Sequence, residues 1–208
     1  MACALCKTRR EKRHCPGVQG EICTLCCGTG REETIDCPLD CEYLRLAHQH
    51  ENPVKDPAGM PNRDFPIPED FFTKNMQLIT VVEHAILRAA LARNAIDSDI
   101  REALEGLIRT YRTLGSGLYY ESRPSNPLAA AVYDGVQQRV AELRKLENER
   151  GLHKVLDSQF LTVFVALQRM EYVVNNGRKR GRRFLGSIYD AMSDLVQQAQ
   201  PASSLIIS

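Results

Sequence analysis

Cysteine is the residue best placed to do chemistry in this chain, and its distribution is uneven. All eight cysteines, Cys3, Cys6, Cys15, Cys23, Cys26, Cys27, Cys37 and Cys41, fall within residues 1–50. Two pairs, Cys3-Ala4-Leu5-Cys6 and Cys23-Thr24-Leu25-Cys26, have the knuckle spacing. Two intervening residues let both thiolates face one ion while the amides between them donate to sulfur. A third pair is wider, Cys37-Pro38-Leu39-Asp40-Cys41, and Cys15 and Cys27 stand apart. A tetrahedral zinc ion takes four ligands, so eight thiolates suit two ions. Fifty residues alone bury too little apolar surface to fold, so the metal must supply much of the folding free energy.

Two ligand groupings fit these spacings. In a cross-braced arrangement Cys3, Cys6, Cys23 and Cys26 share one ion, and Cys15, Cys27, Cys37 and Cys41 share the other. In a sequential arrangement Cys3 and Cys6 pair with Cys15 and one member of the next group. The cross-brace is preferred, because the adjacent Cys26 and Cys27 project in different directions and suit different ions. His14, His48 and His50 lie close by, and any one of them could replace a cysteine; otherwise all three face solvent.

The order Cys-x-x-Cys, then separated cysteines, then Cys-x-x-x-Cys ahead of a histidine-bearing helix start resembles the compact two-zinc fingers of the MYND and HIT type. The resemblance covers residues 3–50 and departs from the family pattern at the adjacent Cys26 and Cys27. It implies a protein-interaction module rather than an enzyme.

The chemistry of the cluster points the same way. A catalytic zinc keeps an open position beside a general base, whereas eight thiolates close both shells. Oxidation of zinc thiolates makes a redox sensor the third reading. Iron–sulfur ligation is disfavoured, since the tight four-cysteine ferredoxin run is missing. The chain has no Gly-rich phosphate loop after a strand, no His-Glu-x-x-His and no Glu-x-x-His pair of the di-iron bundle type. The expectation is a non-enzymatic adaptor or regulatory protein with a protein partner and structural zinc.

Charge supplies the runner-up. With 27 basic and 26 acidic residues the chain has no overall field that would mark a nucleic-acid or membrane binder. Local runs exist at 8–14 (Thr8-Arg9-Arg10-Glu11-Lys12-Arg13-His14) and 178–183 (Arg178-Lys179-Arg180-Gly181-Arg182-Arg183). These could bind phosphates; the plainer reading is a pair of solvated turns.

The elements that must position the cysteines follow from the rest of the pattern. Residues 51–68 hold five of the ten prolines and read as an extended connector. From Glu69 the apolar spacing is helical, giving a mostly α chain with a bundle of about five helices over 69–200 and a tail at 201–208. The first helix should place Phe72, Met76, Ile79, Val82 and Ile86 inward. Ser98 should cap the second, which carries Ile100, Leu104, Leu107, Ile108, Tyr111 and Leu118. Asn126 with Pro127 should open the third, and Gly151 should end it. The fourth carries Leu156, Phe160, Val163, Phe164, Leu167, Met170 and Val174, with Asn176-Gly177 as its stop. The fifth runs from about Arg183 to Gln198. The start of the chain lacks a signal-peptide pattern, so a cytoplasmic location with reduced thiols is expected.

Overall fold

A computed structural model describes residues 2–118 and 120–199, with the side chains of the last helix described as far as Ser193. The tail at 201–208 lies outside the described residues. The chain is mostly α, with a small cysteine-rich module at its start.

The module begins with a short hairpin, β1 (Arg13–Cys15) and β2 (Gly20–Ile22), paired antiparallel with Cys15 opposite Gly20. Sequence periodicity gives no sign of it, because strands of three residues are too short to alternate. At the hairpin turn a Cβ on Gly17 would collide with the Asp36 carbonyl, so glycine lets the turn lie against the 35–36 loop. Two short helices follow, α1 (Thr24–Gly30) and α2 (Glu42–His50). Each starts directly after a cysteine, Cys23 and Cys41 respectively.

The connector is strapped down rather than free. Arg169 donates to the carbonyls of Asn62 and Phe65, the latter at 2.7 Å. Asn62 donates to Gln168 at 2.5 Å, Arg112 donates to Asn62 at 2.6 Å, and Tyr172 donates to the Asp56 carbonyl at 2.9 Å. Phe65 and Ile67 pack against the main core.

Five helices make the bundle: α3 (Phe71–Arg93), α4 (Asp97–Gly115), α5 (Pro127–Arg150), α6 (Asp157–Val174) and α7 (Arg183–Ala199). α3 packs on α5, α4 on both α5 and α6, and α7 on α3 and α6. Gly135 lets α3 and α5 approach closely, since a Cβ there would lie 2.9 Å from that of Ala89. Ile100, Leu104, Leu107, Val163, Phe164 and Leu167 are fully buried, and Tyr111 meets Phe164 edge-on at 5.0 Å.

Helix ends follow local chemistry. Asn126 caps α5 by accepting from the Leu128 amide, and Asn94 and Gly151 end α3 and α5 in the left-handed conformation. Four expectations are corrected. α4 starts at Asp97, not after Ser98, because Asp99 accepts the Ile96 amide at 3.0 Å. Leu118 lies beyond the end of α4 and is exposed. α6 ends at Val174, so Gly177 takes its positive φ outside the helix. Phe72 and Met76 are exposed, and Phe71 and Leu78 are buried instead. α3 has a break at Asn75 (φ −115, ψ 17), but Phe71, Leu78, Val82 and Ala85 share one helical face across it, and Phe72 and Met76 lie off that face.

Candidate metal centre

The two knuckles converge. The sulfurs of Cys3, Cys6, Cys23 and Cys26 all lie within 4.8 Å of one another. This is the cross-braced grouping for the first ion. Four thiolates around a tetrahedral zinc at about 2.3 Å stand roughly 3.8 Å apart, so the donor set fits zinc after a small contraction.

The backbone is arranged for negative sulfur. The Cys23 amide donates to Cys3 Sγ at 3.2 Å, and the Cys26 amide donates to Cys23 Sγ at 3.4 Å. The Thr8 hydroxyl, with the Thr8 and Arg9 amides, pulls the Cys6 thiol down to about 5. Burial pushes Cys3 up, yet the Cys6, Cys23 and Leu5 amides outweigh it and leave it lowered. The fourth sulfur is shifted the other way: its contact with Cys23 and its burial push the Cys26 thiol up to about 12. Four crowded sulfurs cannot all ionise unaided, and a divalent ion at their centre deprotonates its ligands.

Cys15, Cys27, Cys37 and Cys41 belong to the same apolar cluster, together with Ile22, Ile35 and Leu44. Among the described residues their sulfurs do not close to the spacing of the first group. Burial, against the Glu32 amide and with Cys41, Glu32 and Cys15 adding charge, pushes Cys37 up to about 11. Cys27 faces two guanidinium groups: Arg13 Nη1 at 3.7 Å and Arg31 Nη2 at 3.8 Å. The Arg13 guanidinium also stacks on Tyr43, 4.0 Å from the ring centroid.

The histidines part company. His14 is exposed beside Glu21 at 3.3 Å, and His50 faces solvent. His48 does not: its side chain is largely buried, with Nε2 3.0 Å from Glu32. None of the three joins the thiolate group.

Glu32, His48 and Glu51 form a second cluster of possible ligand atoms. It is already filled. Glu32 is fully buried and accepts from the Arg182 amide at 2.7 Å and from Asn176 Nδ2 at 2.8 Å. Arg178 donates to Glu51 at 2.9 Å and lies 4.0 Å from Glu32. A guanidinium supplies the positive charge that a metal would bring. Burial works against ionised Glu32, but the His48 contact and the Arg182 amide outweigh it and hold its carboxyl below the usual range.

The basic run 178–183 supplies this clamp, so most of it is not a solvated turn. Arg178 donates to the Arg31 carbonyl at 2.8 Å. Arg182 is buried and donates to the Cys37 carbonyl at 2.8 Å, to Asn94 Oδ1 at 2.7 Å and to Asp36 at 2.9 Å. Arg183 donates to the carbonyls of Val174, His48 and Glu51. Lys179 and Arg180 remain exposed. Leu39, two residues past Cys37, is counted in the main core of the bundle. The metal module and the bundle therefore share a buried polar and apolar seam.

Sequence reading missed Glu32 and the role of His48. The available signal was weak: a dense cationic run in a chain of nearly balanced charge needs carboxylates somewhere. No protein-family model, no curated protein and no solved structure matches the chain.

Proposed function

We propose that the chain is a non-enzymatic adaptor or regulatory protein in which zinc is structural. The first cysteine group carries this reading: four sulfurs complete a tetrahedral shell and leave no position for substrate or water. Cys15, Cys27, Cys37 and Cys41 hold a second ion, drawn together when it binds. The gathering of these four cysteines in one apolar cluster supports that set, as do the two guanidinium groups facing Cys27, which favour a thiolate. The likeness of residues 3–50 to MYND and HIT fingers supports a protein partner, and eight free thiols suit a reducing cytoplasm.

Two measurements test the reading. Elemental analysis of the purified chain gives two zinc ions per chain; one or fewer overturns the second site. Crosslinking in the native cell, followed by sizing, places the zinc-loaded chain in an assembly larger than itself. Recovery of the chain alone overturns the adaptor role. A second reading, phosphate binding, rests on the exposed cations of the run at 8–14. It requires nucleic-acid affinity that falls steeply with salt.

A further inference from the structure

We propose that the bundle carries a binding site for a small phosphate monoester, in a cavity between α3 and α5. The site is separate from the metal centre and goes beyond the adaptor role.

The cavity measures about 230 Å³. Its floor is made of small residues, Ala85 and Ala89 on α3 and Gly135 on α5. A Cβ at Gly135 would lie 2.9 Å from that of Ala89, so the two helices meet closely there and the longer side chains rise around the floor. The space is smaller than the clefts that enclose whole drug-sized ligands, which limits the occupant to a compact group.

The walls are cationic. His84 and Arg88 line the cavity from α3, one helical turn apart, and Gln138 and Arg139 line it from α5. One carboxylate, Glu142, shares the cavity, and it is already engaged. It accepts from Gln138 Nε2 at 3.2 Å and from Arg139 Nη1 at 3.1 Å. Arg88 has no such partner. Among the described residues, no hydrogen bond or ion pair engages its side chain or that of His84. Two guanidinium groups thus share the cavity with one carboxylate, and positive charge is left over. Arg139 adds an unmet donor: its Nε is shut off from solvent and has no hydrogen-bond partner among the described residues. A buried donor without an acceptor is costly, and an oxyanion beside this guanidinium supplies the acceptor.

The placement of the donors selects the anion. A carboxylate offers two coplanar oxygens, which a single guanidinium fork satisfies. Here the donors come from two helices. A phosphate monoester offers three oxygens in different directions and close to two negative charges, so it can join Arg88 and His84 on α3 to Arg139 on α5. A diester, as in a nucleic-acid backbone, has one charge and two free oxygens and serves fewer of these groups.

The test uses the isotope-labelled, full-length, zinc-loaded protein and its amide NMR shifts at pH ~7.5, where a monoester is mostly dianionic. Methyl phosphate, dimethyl phosphate and acetate are titrated at constant ionic strength. Methyl phosphate should move the amides around 84–89 and 135–142, and should bind about tenfold more tightly than either of the others. The R88Q/R139Q double variant should lose at least about tenfold in affinity for methyl phosphate. The K179Q/R180Q variant, which removes exposed cations elsewhere, should bind as the wild type does. Shifts centred on other cations, equal affinity for the three anions, no shifts at millimolar methyl phosphate, or undiminished binding by a folded R88Q/R139Q variant each overturns the proposal. The wild-type comparison of anions stands even if that variant fails to fold. Failure here leaves the adaptor reading to the zinc and crosslinking results.

Discussion

The Glu32 carboxylate, fully buried, accepts the backbone amide of Arg182 at 2.7 Å across 150 positions of sequence. Glu32 sits at a positive φ of 54°, a conformation that non-glycine residues hold only when their surroundings enforce it. A residue two positions past the end of α1 and the residue just before α7 thereby lock the cysteine-rich module onto the bundle.

Replacing Glu32 with alanine removes one acceptor from a buried network, takes that partner from the Arg182 amide and from His48, and leaves Asn176 bonded to Glu51 alone. Breaking such a network costs about 3–5 kcal/mol. Glu32→Gln, which keeps an acceptor, should cost less. Urea unfolding followed by circular dichroism measures both, and an unchanged midpoint for Glu32→Ala would refute the clamp.

The two kinds of cation in the run at 178–183 should behave differently. Arg182→Gln strips donors from the Cys37 and Asn94 groups and from Asp36, and should destabilise by about 2–4 kcal/mol. Lys179→Gln and Arg180→Gln alter exposed side chains and should stay within about 0.5 kcal/mol. Equal effects across the three variants in thermal unfolding would contradict the inward assignment.

Asp97 sets a pH dependence. Its carboxylate accepts the Phe184 and Leu185 amides at 2.9 and 3.1 Å, at the start of α7. Burial nonetheless pushes it up to about 7, with Glu171 and Glu32 adding to the rise. The folded state holds this proton to higher pH than the unfolded chain does, so the stability it contributes is present below pH ~4 and lost as pH rises towards ~7. A shift of that size corresponds to roughly 4 kcal/mol. Glu32, shifted the other way, contributes stability that is lost as pH falls below the ordinary carboxylate range. Asp97→Asn should flatten the stability profile between pH 5 and 7, because the amide stays neutral throughout. An identical slope in wild type and variant, read by chemical denaturation across that range, would remove Asp97 as the cause.

Zinc content should report the ligand sets separately. Cys23→Ser should lower zinc by one ion per chain through the first group, and Cys37→Ser should do the same through the second. Elemental analysis of each purified variant measures this. Full retention of metal by Cys37→Ser would exclude it as a ligand.

A chain truncated to begin at Pro66 should remain helical, since α3 to α7 hold most of the apolar core among themselves. It should unfold at a lower temperature than the intact chain, because it lacks Leu39 and the partners of Arg178, Arg182 and Arg183. Far-ultraviolet circular dichroism follows both quantities, and an unfolded truncated chain would show that the metal module completes the bundle.

Much of the bundle is legible in the sequence, because its signals are local. Asn126-Pro127 and Gly151 bracket α5 by cap chemistry, and Phe160, Val163, Phe164 and Leu167 mark one face of α6 by helical spacing. The misreadings are also physical. Helical spacing fits two neighbouring faces of α3, and the buried one runs through Phe71, Leu78, Val82 and Ala85, which leaves Phe72 and Met76 outward. Ser98 looks like a cap, but Asp99 accepts the orphan amide first.

For the metal site the division is sharper. Cysteine spacing by itself determines that thiolates gather in the first fifty residues, because two intervening residues fix two sulfurs on one centre wherever the chain goes. Only the tertiary structure decides that Cys3 and Cys6 meet Cys23 and Cys26. It alone turns Arg178, Arg182 and Arg183 inward and leaves Lys7, Arg9, Arg10 and Lys12 outside. The reason is that an arginine run has the same composition whether it faces water or a buried carboxylate. Glu32 lies 144 positions from Asn176 and 150 from Arg182, and no local pattern encodes a partner at that distance.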